Sequence, residues 1–177
     1  EGGLGNSILS GETWTIPTGS DLIVRANESG IRVASSFTGK GLLQFDATKA
    51  DRVITLEGDN SAFSGSVTFL KNTAPVTVSV ENGQAWFGDP DTLETVKIAY
   101  GSTLRFKASV RTALLHNFDF GLANETCGCI DVAEGRTVVI QGAVSGVNGF
   151  VKKGSGALDY ASQIGAETLD VQGGTVA

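Results

Sequence analysis

The sequence predicts an all-β protein in which successive coils of chain stack as a parallel β-solenoid. Short runs of alternating branched residues recur, Gly, Asn, Asp or Ser separates most of them, and helical periodicity is almost absent. Gly occupies 24 of the 177 positions, about twice its average share, and it suits tight corners because it tolerates positive φ. The runs lie at 22–24, 31–33, 42–45, 53–56, 67–69, 76–80, 96–98, 104–106, 130–132, 138–140 and 169–171.

A loose internal repeat supports the stacking of coils. Each unit holds two alternating apolar residues, a turn that contains Gly, and two more apolar residues. We expect coils of roughly 20 to 25 residues with insertions, in which like side chains lie above like. The alternative is a β-sandwich or jelly roll, because Asn82-Gly83 and Asn148-Gly149 are typical of two-residue hairpin turns. The repeat units lie at 78–86, 98–106, 130–140 and 169–176.

Composition excludes several classes of protein. Hydrophobic residues make up 41 % of the chain, which is too many for a disordered tail, and there is no Gly-X-Y period of the collagen type. The net charge of −6 argues against a nucleic-acid partner, which requires a surplus of Lys and Arg on one face. The sequence contains no run of 18 apolar residues, so it predicts no helix that spans a bilayer.

The two ends of the chain suggest a longer parent protein. The chain begins with Glu, its first five residues lack the basic and apolar regions of a signal peptide, and it ends within a strand-like pattern at 173–177. We expect 1–177 to be a single β-helical domain excised from a longer polypeptide. Any targeting or anchoring segment would then lie outside it.

Two stretches resemble the passenger-associated repeats of bacterial autotransporters. Residues 149–160 (GFVKKGSGALDY) are similar to the opening of that repeat, and 168–176 would supply its closing strand, Gly and Thr. Residues 56–67 (LEGDNSAFSGSV) are similar to the family's Gly-x-Asn-x-x-Phe-x-Gly-x-Val segment. Together these stretches cover about a fifth of the chain. The sequence departs from the family pattern at 161–165, where Asn and an aromatic residue usually precede the Gly.

The resemblance implies a right-handed parallel β-helix that forms the extracellular stalk of an autotransporter passenger. The parent protein would carry a signal peptide and a C-terminal barrel in the outer membrane, and only that barrel would meet a membrane. The stalk would display adhesive, self-associating or toxic loops at the bacterial surface. Its partners would be a host cell surface, the extracellular matrix or neighbouring bacterial cells.

Two other functions remain open from the sequence. A carbohydrate-active β-helix, such as a polysaccharide lyase or hydrolase or a phage tailspike, would bring several carboxylates or a Lys/Arg cluster to one groove, and the sequence shows no dense cluster of either kind. A spacer or folding segment for secretion would bind nothing. We predict a non-enzymatic role, with no catalytic residue, metal or cofactor.

Candidate catalytic patterns have simpler structural interpretations. Asn60 interrupts the Gly-Asp-Ser-Gly pattern of a serine-protease loop at 58–61, and His116, the only His, has the apolar neighbours of a partly buried side chain. The carboxylates at 89–91 and Glu94 are of the type that serves glycoside hydrolysis or binds Ca²⁺. Asp-Pro-Asp after a Gly is, however, typical of an ordinary turn.

The pair Cys127 and Cys129 flanks a single Gly. Zinc requires four ligands, which this pair and one His do not supply. In an exported protein an even, local pair predicts a disulfide, although its very small ring would be strained and would add little stability. Free thiols and a metal site are the alternatives.

The segment that precedes the cysteines departs from the repeat. It contains several large apolar residues and little Gly, so we predict an irregular insertion around 111–129. Inserted loops on solenoids are frequent binding sites. The predicted contact residues are Leu114, Leu115, Phe118 and Phe120.

Overall fold

Short alternating strands with glycine corners form the regular structure of the described residues, which we take from a computed structural model. The structure describes residues 7–9, 11–70, 74–83, 88–89, 91–98, 100–121, 126–160, 164–166 and 169–177. From the N-terminus its strands are β1 (Ser7–Leu9), β2 (Thr13–Ile16), β3 (Asp21–Ala26), β4 (Ile31–Val33), β5 (Ser36–Gly39), β6 (Leu42–Ala47), β7 (Val53–Leu56), β8 (Val67–Phe69), β9 (Thr77–Val80), β10 (Thr95–Lys97) and β11 (Thr103–Phe106). They continue with β12 (Val110–Leu114), β13 (Asn117–Asp119), β14 (Cys129–Val132), β15 (Thr137–Ile140), β16 (Val144–Gly146), β17 (Phe150–Lys153), β18 (Ala157–Tyr160), β19 (Ile164–Ala166), β20 (Leu169–Val171) and β21 (Thr175–Val176).

The chain builds three faces and visits them in the same order on successive coils. The first face is an eight-stranded sheet, β1-β4-β7-β9-β11-β14-β17-β20. The second face contains β2-β5 near the N-terminus and β12-β15-β18-β21 further along. The third face is the seven-stranded sheet β3-β6-β8-β10-β13-β16-β19. All pairings between these strands are parallel, so the parallel β-solenoid is confirmed and the β-sandwich is excluded.

The length of one coil varies along the first face. At the N-terminal end Ser7 pairs with Ile31, whereas Lys152 pairs with Val171 across a shorter coil near the C-terminus. The longest coils of this face lie in the middle, where Leu104 pairs with Ile130. The coil length is therefore not fixed, and it varies to both sides of the range that the sequence predicts.

The register corrects the proposed alignment of the repeat units. Leu104, not Ile98, lies beside Val78 on the first face, while Ile98 belongs to the corner that follows the third face. Apolar and polar residues alternate around both Ile98 and Leu104, so the sequence pattern does not distinguish the two positions. Hydrogen bonding between coils does, because a shift in register changes which residues are neighbours.

The core consists of apolar columns that run along the axis of the solenoid. On the first face, one column passes from Ile54 through Val78 and Leu104 to Ile130, and all four side chains are fully buried. Each such burial stabilises the fold by about 1.5–3 kcal/mol relative to an exposed side chain. Phenylalanines fill the wider parts of the interior at 37, 45, 63, 69, 106, 118, 120 and 150.

Where it is described, the predicted insertion around 111–129 consists largely of strands that pair with the neighbouring coils. Strand β12 pairs with β15, and β13 pairs with both β10 and β16. The departure from the repeat is a shift in register: Val110 pairs with Val138 and Leu114 with Ile140, so β12 holds two more residues between these pairs than its partner. Part of the predicted insertion, 122–125, lies outside the described residues.

Within the described ranges there is no helical segment with the length and hydropathy required to traverse a bilayer.

Candidate functional site

The apolar residues predicted to contact a partner belong mainly to the core. Leu114, Phe118 and Phe120 are at most 1 % exposed, and Leu115 is partly buried. Phe120 stacks on Phe150 with ring centroids 4.5 Å apart. An outside partner cannot reach the three buried side chains, so they stabilise the solenoid rather than form a contact loop. Sequence reasoning misplaced them because alternating inward positions on a strand resemble an apolar loop when the register is unknown.

The two cysteines are free thiols in the structure. Cys129 is buried at the start of β14, Cys127 is half-buried, and burial together with the neighbouring Cys129 raises the pKa of the Cys127 thiol. Two residues apart in an extended chain, their Cα atoms are about 6.6 Å apart, near the upper limit for a disulfide. A Cβ on Gly128 would lie 1.9 Å from the Ile98 carbonyl oxygen, so this segment is held closely against the previous coil. The predicted disulfide thus finds no support in this geometry.

The residues of the protease-like motif hold a corner together. Asn60 is buried and its Oδ1 accepts a hydrogen bond from the Phe37 amide at 2.8 Å. Asp59 Oδ1 accepts one from the Ser61 amide at 3.0 Å, and the backbone and side chain of Ser61 lower the pKa of Asp59. These bonds link one coil to the next and close a turn.

His116 lies fully buried just before β13. Desolvation lowers its pKa to about 4, and the carboxylates of Asp89 and Glu94 oppose that shift in part. At neutral pH the imidazole is therefore uncharged. Its burial agrees with the interpretation of His116 as a structural residue.

The acidic turn has the geometry expected of an Asx turn. Asp89 Oδ1 accepts a hydrogen bond from the Asp91 amide at 3.0 Å. Glu94, further along, accepts a hydrogen bond from the Ser66 hydroxyl at 2.7 Å. In the part of the chain that the structure describes, no group of three or more His, Cys, Asp or Glu side chains is arranged to hold a metal ion.

An open polar cleft, which we call the corner groove, lies where the second face turns into the third. It has a volume of about 520 Å³, within the range typical of ligand sites. The turns that precede β3, β6 and β8 supply its walls, so it crosses three consecutive coils. Its lining residues are Gly19, Ser20, Asp21, Lys40, Gly41, Leu42 and Ser66.

Close stacking of glycines shapes the floor of the corner groove. A Cβ on Gly65 would lie 1.9 Å from the carbonyl oxygen of Gly41, and a Cβ on Gly41 would lie 2.5 Å from that of Ser20. Only the absence of side chains allows three turns to approach this closely. The floor is therefore backbone, and the neighbouring side chains form the rims.

The backbone of the corner groove is already hydrogen-bonded between coils. The amide of Leu42 donates to the Ser20 carbonyl oxygen at 2.9 Å, and the amide of Leu43 donates to that of Ser66 at 2.9 Å. The amide of Gly41 donates to the carbonyl oxygen of Ile16, also at 2.9 Å. These groups are not available as an open strand edge.

The rims of the corner groove carry opposite charges. Asp21 and Lys40 are exposed, and no hydrogen bond or ion pair joins either side chain to another described residue. Leu42 is half-buried and lies beside Asp21 in the register of the third face. The groove thus combines a carboxylate, an ammonium group, hydroxyls and a small apolar surface.

Sequence reasoning did not find the corner groove. Its signal was the recurrence of Gly41 and Gly65 one coil apart, each followed by the start of a strand. The recurring glycines predict corners of the solenoid. They do not predict a groove, because the rim residues Asp21 and Lys40 have no distinctive pattern in the sequence.

Elsewhere among the described residues, ion pairs join neighbouring coils. Arg105 and Asp131 are direct register partners on the first face, and their side chains approach to 2.7 Å. Similar pairs join other coils, each worth roughly 0–1 kcal/mol where exposed. They are Arg25–Asp46, Arg32–Glu57, Lys49–Glu28 and Lys107–Glu81.

Lys152 occupies an inward position in the apolar column of the first face. It is fully buried and follows Ile130 in register. Its ammonium group donates to the carbonyl oxygens of Lys153, Gly154 and Gly173 at 2.6, 2.9 and 3.1 Å. We call this arrangement the lysine cage. Burial lowers the pKa of Lys152, and the nearby Asp131 carboxylate opposes that shift.

No protein-family model, curated protein or solved structure matches the sequence or the fold of this chain.

Proposed function

We propose that the chain is a non-enzymatic, extracellular β-helical stalk of an autotransporter passenger, which displays or mediates adhesion or self-association at the bacterial surface. The observation that carries this proposal is the parallel solenoid itself, because it is the architecture that the resemblance at 149–160 and 56–67 implies. The right-handed sense of the coil is part of the same proposal.

The surface of the solenoid supports a role in contact rather than in catalysis. Stacked coils give long, regular faces, and cross-coil ion pairs such as Arg105–Asp131 and Arg32–Glu57 lie on their outer side. Extended faces of this kind are the usual binding surfaces of solenoid proteins. A stalk needs stiffness, which the hydrogen-bonded parallel stacking provides.

Localisation to the bacterial surface tests the proposal directly. The parent protein is expressed with an epitope beside this segment, and intact cells are treated with an external protease or a membrane-impermeant label. Exposure of the segment on intact cells supports the proposal. Protection on intact cells, with digestion only after the outer membrane is opened, contradicts it.

The sequence of the parent protein provides an independent check. An autotransporter requires a C-terminal region of alternating amphipathic strands able to form an outer-membrane barrel. A parent sequence without such a region contradicts the family assignment, although the solenoid would still stand.

A spacer is the competing function, and it differs in one measurable respect. If the stalk has a contact role, cells that display it adhere to host cells or matrix or aggregate with one another. Deletion of this segment then reduces that adhesion. A pure spacer can be replaced by a solenoid segment of equal length without any change in adhesion.

A further inference from the structure

We propose that the corner groove binds a neutral oligosaccharide that lies along the axis of the solenoid. This inference rests on the proposed function, since it names a ligand class for an extracellular contact surface. Its basis is the convergence of Asp21, Lys40, Ser66 and Leu42 on one open cleft of about 520 Å³.

The groups on the rims suit a ligand rich in hydroxyls. The Asp21 carboxylate accepts hydrogen bonds from sugar hydroxyls, and the Lys40 ammonium group donates to hydroxyl or ring oxygens. The partly buried Leu42 offers an apolar surface to the C–H face of a sugar ring. Both charged side chains are free to turn toward a ligand, because neither forms an ion pair with another described residue.

The geometry favours a chain of sugars over a single small molecule. Consecutive coils are about 4.8 Å apart, so the three coils at Asp21, Leu42 and Ser66 place polar groups over a length of roughly 10 Å along the axis. Gly41 and Gly65 allow the three turns to stack closely along this length. An extended ligand therefore meets a carboxylate on the first coil, an ammonium group and an apolar side chain on the second, and a hydroxyl on the third.

The backbone argues against a peptide strand as the ligand. A peptide that binds by strand addition requires unpaired backbone groups at a sheet edge. Here the amides of Gly41, Leu42 and Leu43 already donate to the neighbouring coil. Recognition must come from the side chains.

The charge balance argues against a polyanionic glycan. Asp21 and Lys40 carry opposite charges, and the Glu94 carboxylate, which accepts the hydrogen bond of the Ser66 hydroxyl at 2.7 Å, adds a further negative charge beside the groove. A sulfated or uronate-rich chain is attracted by an excess of Lys and Arg, which the groove lacks. We therefore expect binding to change little with ionic strength, unlike binding that depends on exposed charges of one sign.

The experiment is an NMR titration of the purified, isotopically labelled protein. The probes are hexasaccharides of β-1,4-linked glucose, α-1,6-linked glucose and β-1,4-linked N-acetylglucosamine, with a uronate-containing hexasaccharide as the charged comparison. We expect at least one neutral probe to shift the amide signals of Gly19, Asp21, Lys40 and Gly41, with the same affinity at low and high salt.

Substitutions on the rims and on a distant corner test the location. We expect Asp21→Asn and Lys40→Ala each to weaken binding by about tenfold, the effect of losing one charge-assisted hydrogen bond. Asp51→Asn and Lys49→Ala, which change exposed residues after β6, leave it unchanged. All four positions are exposed, so unchanged circular dichroism and melting temperature establish that each variant is folded.

Each contrary outcome overturns the inference. It fails if no neutral probe binds at millimolar concentration, if the uronate probe alone binds, or if the shifts occur outside the corner groove. It also fails if Asp21→Asn and Lys40→Ala bind as well as the unaltered protein. None of these results depends on whether the segment is exposed on intact cells. A failure of oligosaccharide binding is therefore distinguishable from a failure of the proposed function.

Discussion

The ammonium group of Lys152 donates a hydrogen bond to the carbonyl oxygen of Gly173, 3.1 Å away on the following coil. On the preceding coil the equivalent inward position holds Ile130. Two glycines lie beside the ammonium group: the carbonyl oxygen of Gly154 accepts one of its hydrogen bonds, and a Cβ on Gly174 would lie 2.9 Å from its nitrogen. Because Gly174 carries no side chain, there is room for the ammonium group, and the three carbonyl oxygens that accept its hydrogen bonds offset the cost of its burial.

Removal of the lysine cage is expected to destabilise the fold. Lys152→Met keeps the length of the side chain but leaves carbonyl oxygens of three residues without this donor, at a cost of about 1–3 kcal/mol. Urea unfolding measures the change. The matched control is Lys153→Met, because Lys153 is only half-buried in the neighbouring outward position, and we expect a change below about 0.5 kcal/mol there. Equal effects of the two substitutions contradict a structural role for the cage.

Burial of His116 is expected to make the protein less stable in mild acid. Its pKa is about 4 in the folded protein and about 6.5 in the unfolded chain, so the unfolded state binds more protons between these values. Stability is therefore complete above pH 6.5 and falls as the pH drops toward 4, by up to about 3 kcal/mol.

The measurement is the free energy of unfolding at pH 7, 5.5 and 4.5 for the unaltered protein and for His116→Gln. Since His116 is the only His, the difference between the two proteins isolates its titration from that of the carboxylates. We expect the free energy of unfolding to fall more steeply with decreasing pH in the unaltered protein than in His116→Gln. A gap that does not change with pH shows that His116 is not buried in its neutral form.

The two cysteines are expected to react slowly while the protein is folded. The raised pKa of the Cys127 thiol reduces its thiolate fraction at neutral pH, and burial protects Cys129. Labelling with a thiol reagent should proceed slowly at Cys127, should reach Cys129 only on unfolding, and should then account for both thiols. Mass spectrometry of the exported, unreduced protein gives the contrary test, because a mass lower by two hydrogens with no labelling on unfolding establishes the disulfide that the sequence predicts.

The stacked glycines of the corner groove are expected to tolerate no side chain. Gly65→Ala places a methyl group 1.9 Å from the Gly41 carbonyl oxygen, so two coils must separate, and we expect a loss of about 1–3 kcal/mol or more in unfolding free energy. Gly83→Ala is the comparison, since a Cβ there is 3.7 Å from the nearest atom, the Ser109 carbonyl oxygen. That substitution should be neutral or slightly stabilising. A small effect of Gly65→Ala would mean that the coils are not packed as closely as described.

Local alternation predicted the strands well, but it did not predict their neighbours. The runs at 53–56, 76–80 and 104–106 are all strands or nearly so, yet the repeat was aligned on Ile98 where the structure pairs Leu104 with Val78. Because the coil length differs from one end of the first face to the other, a fixed period does not locate equivalent positions.

The candidate sites show the same division. The cluster of large apolar residues that includes Leu114 and Phe118 predicts a contact loop, whereas in the structure both side chains are buried in the core. Asp21 and Lys40 are not conspicuous in the sequence, because single charged residues near turns are common on any surface. Only the stacking of three turns brings them to opposite rims of one groove.

The amino-acid sequence by itself determined that the chain is all-β and that its coils stack in parallel, because period-two alternation with glycine corners lets each coil bury one side of every strand while its backbone bonds to the next coil. Tertiary structure alone decided which residues lie above one another. Register depends on hydrogen bonds and packing between residues that lie a full coil apart in the chain, so the placement of Lys152 in an apolar column, of Phe120 against Phe150 and of Gly65 against Gly41 follows from contacts that no local pattern contains.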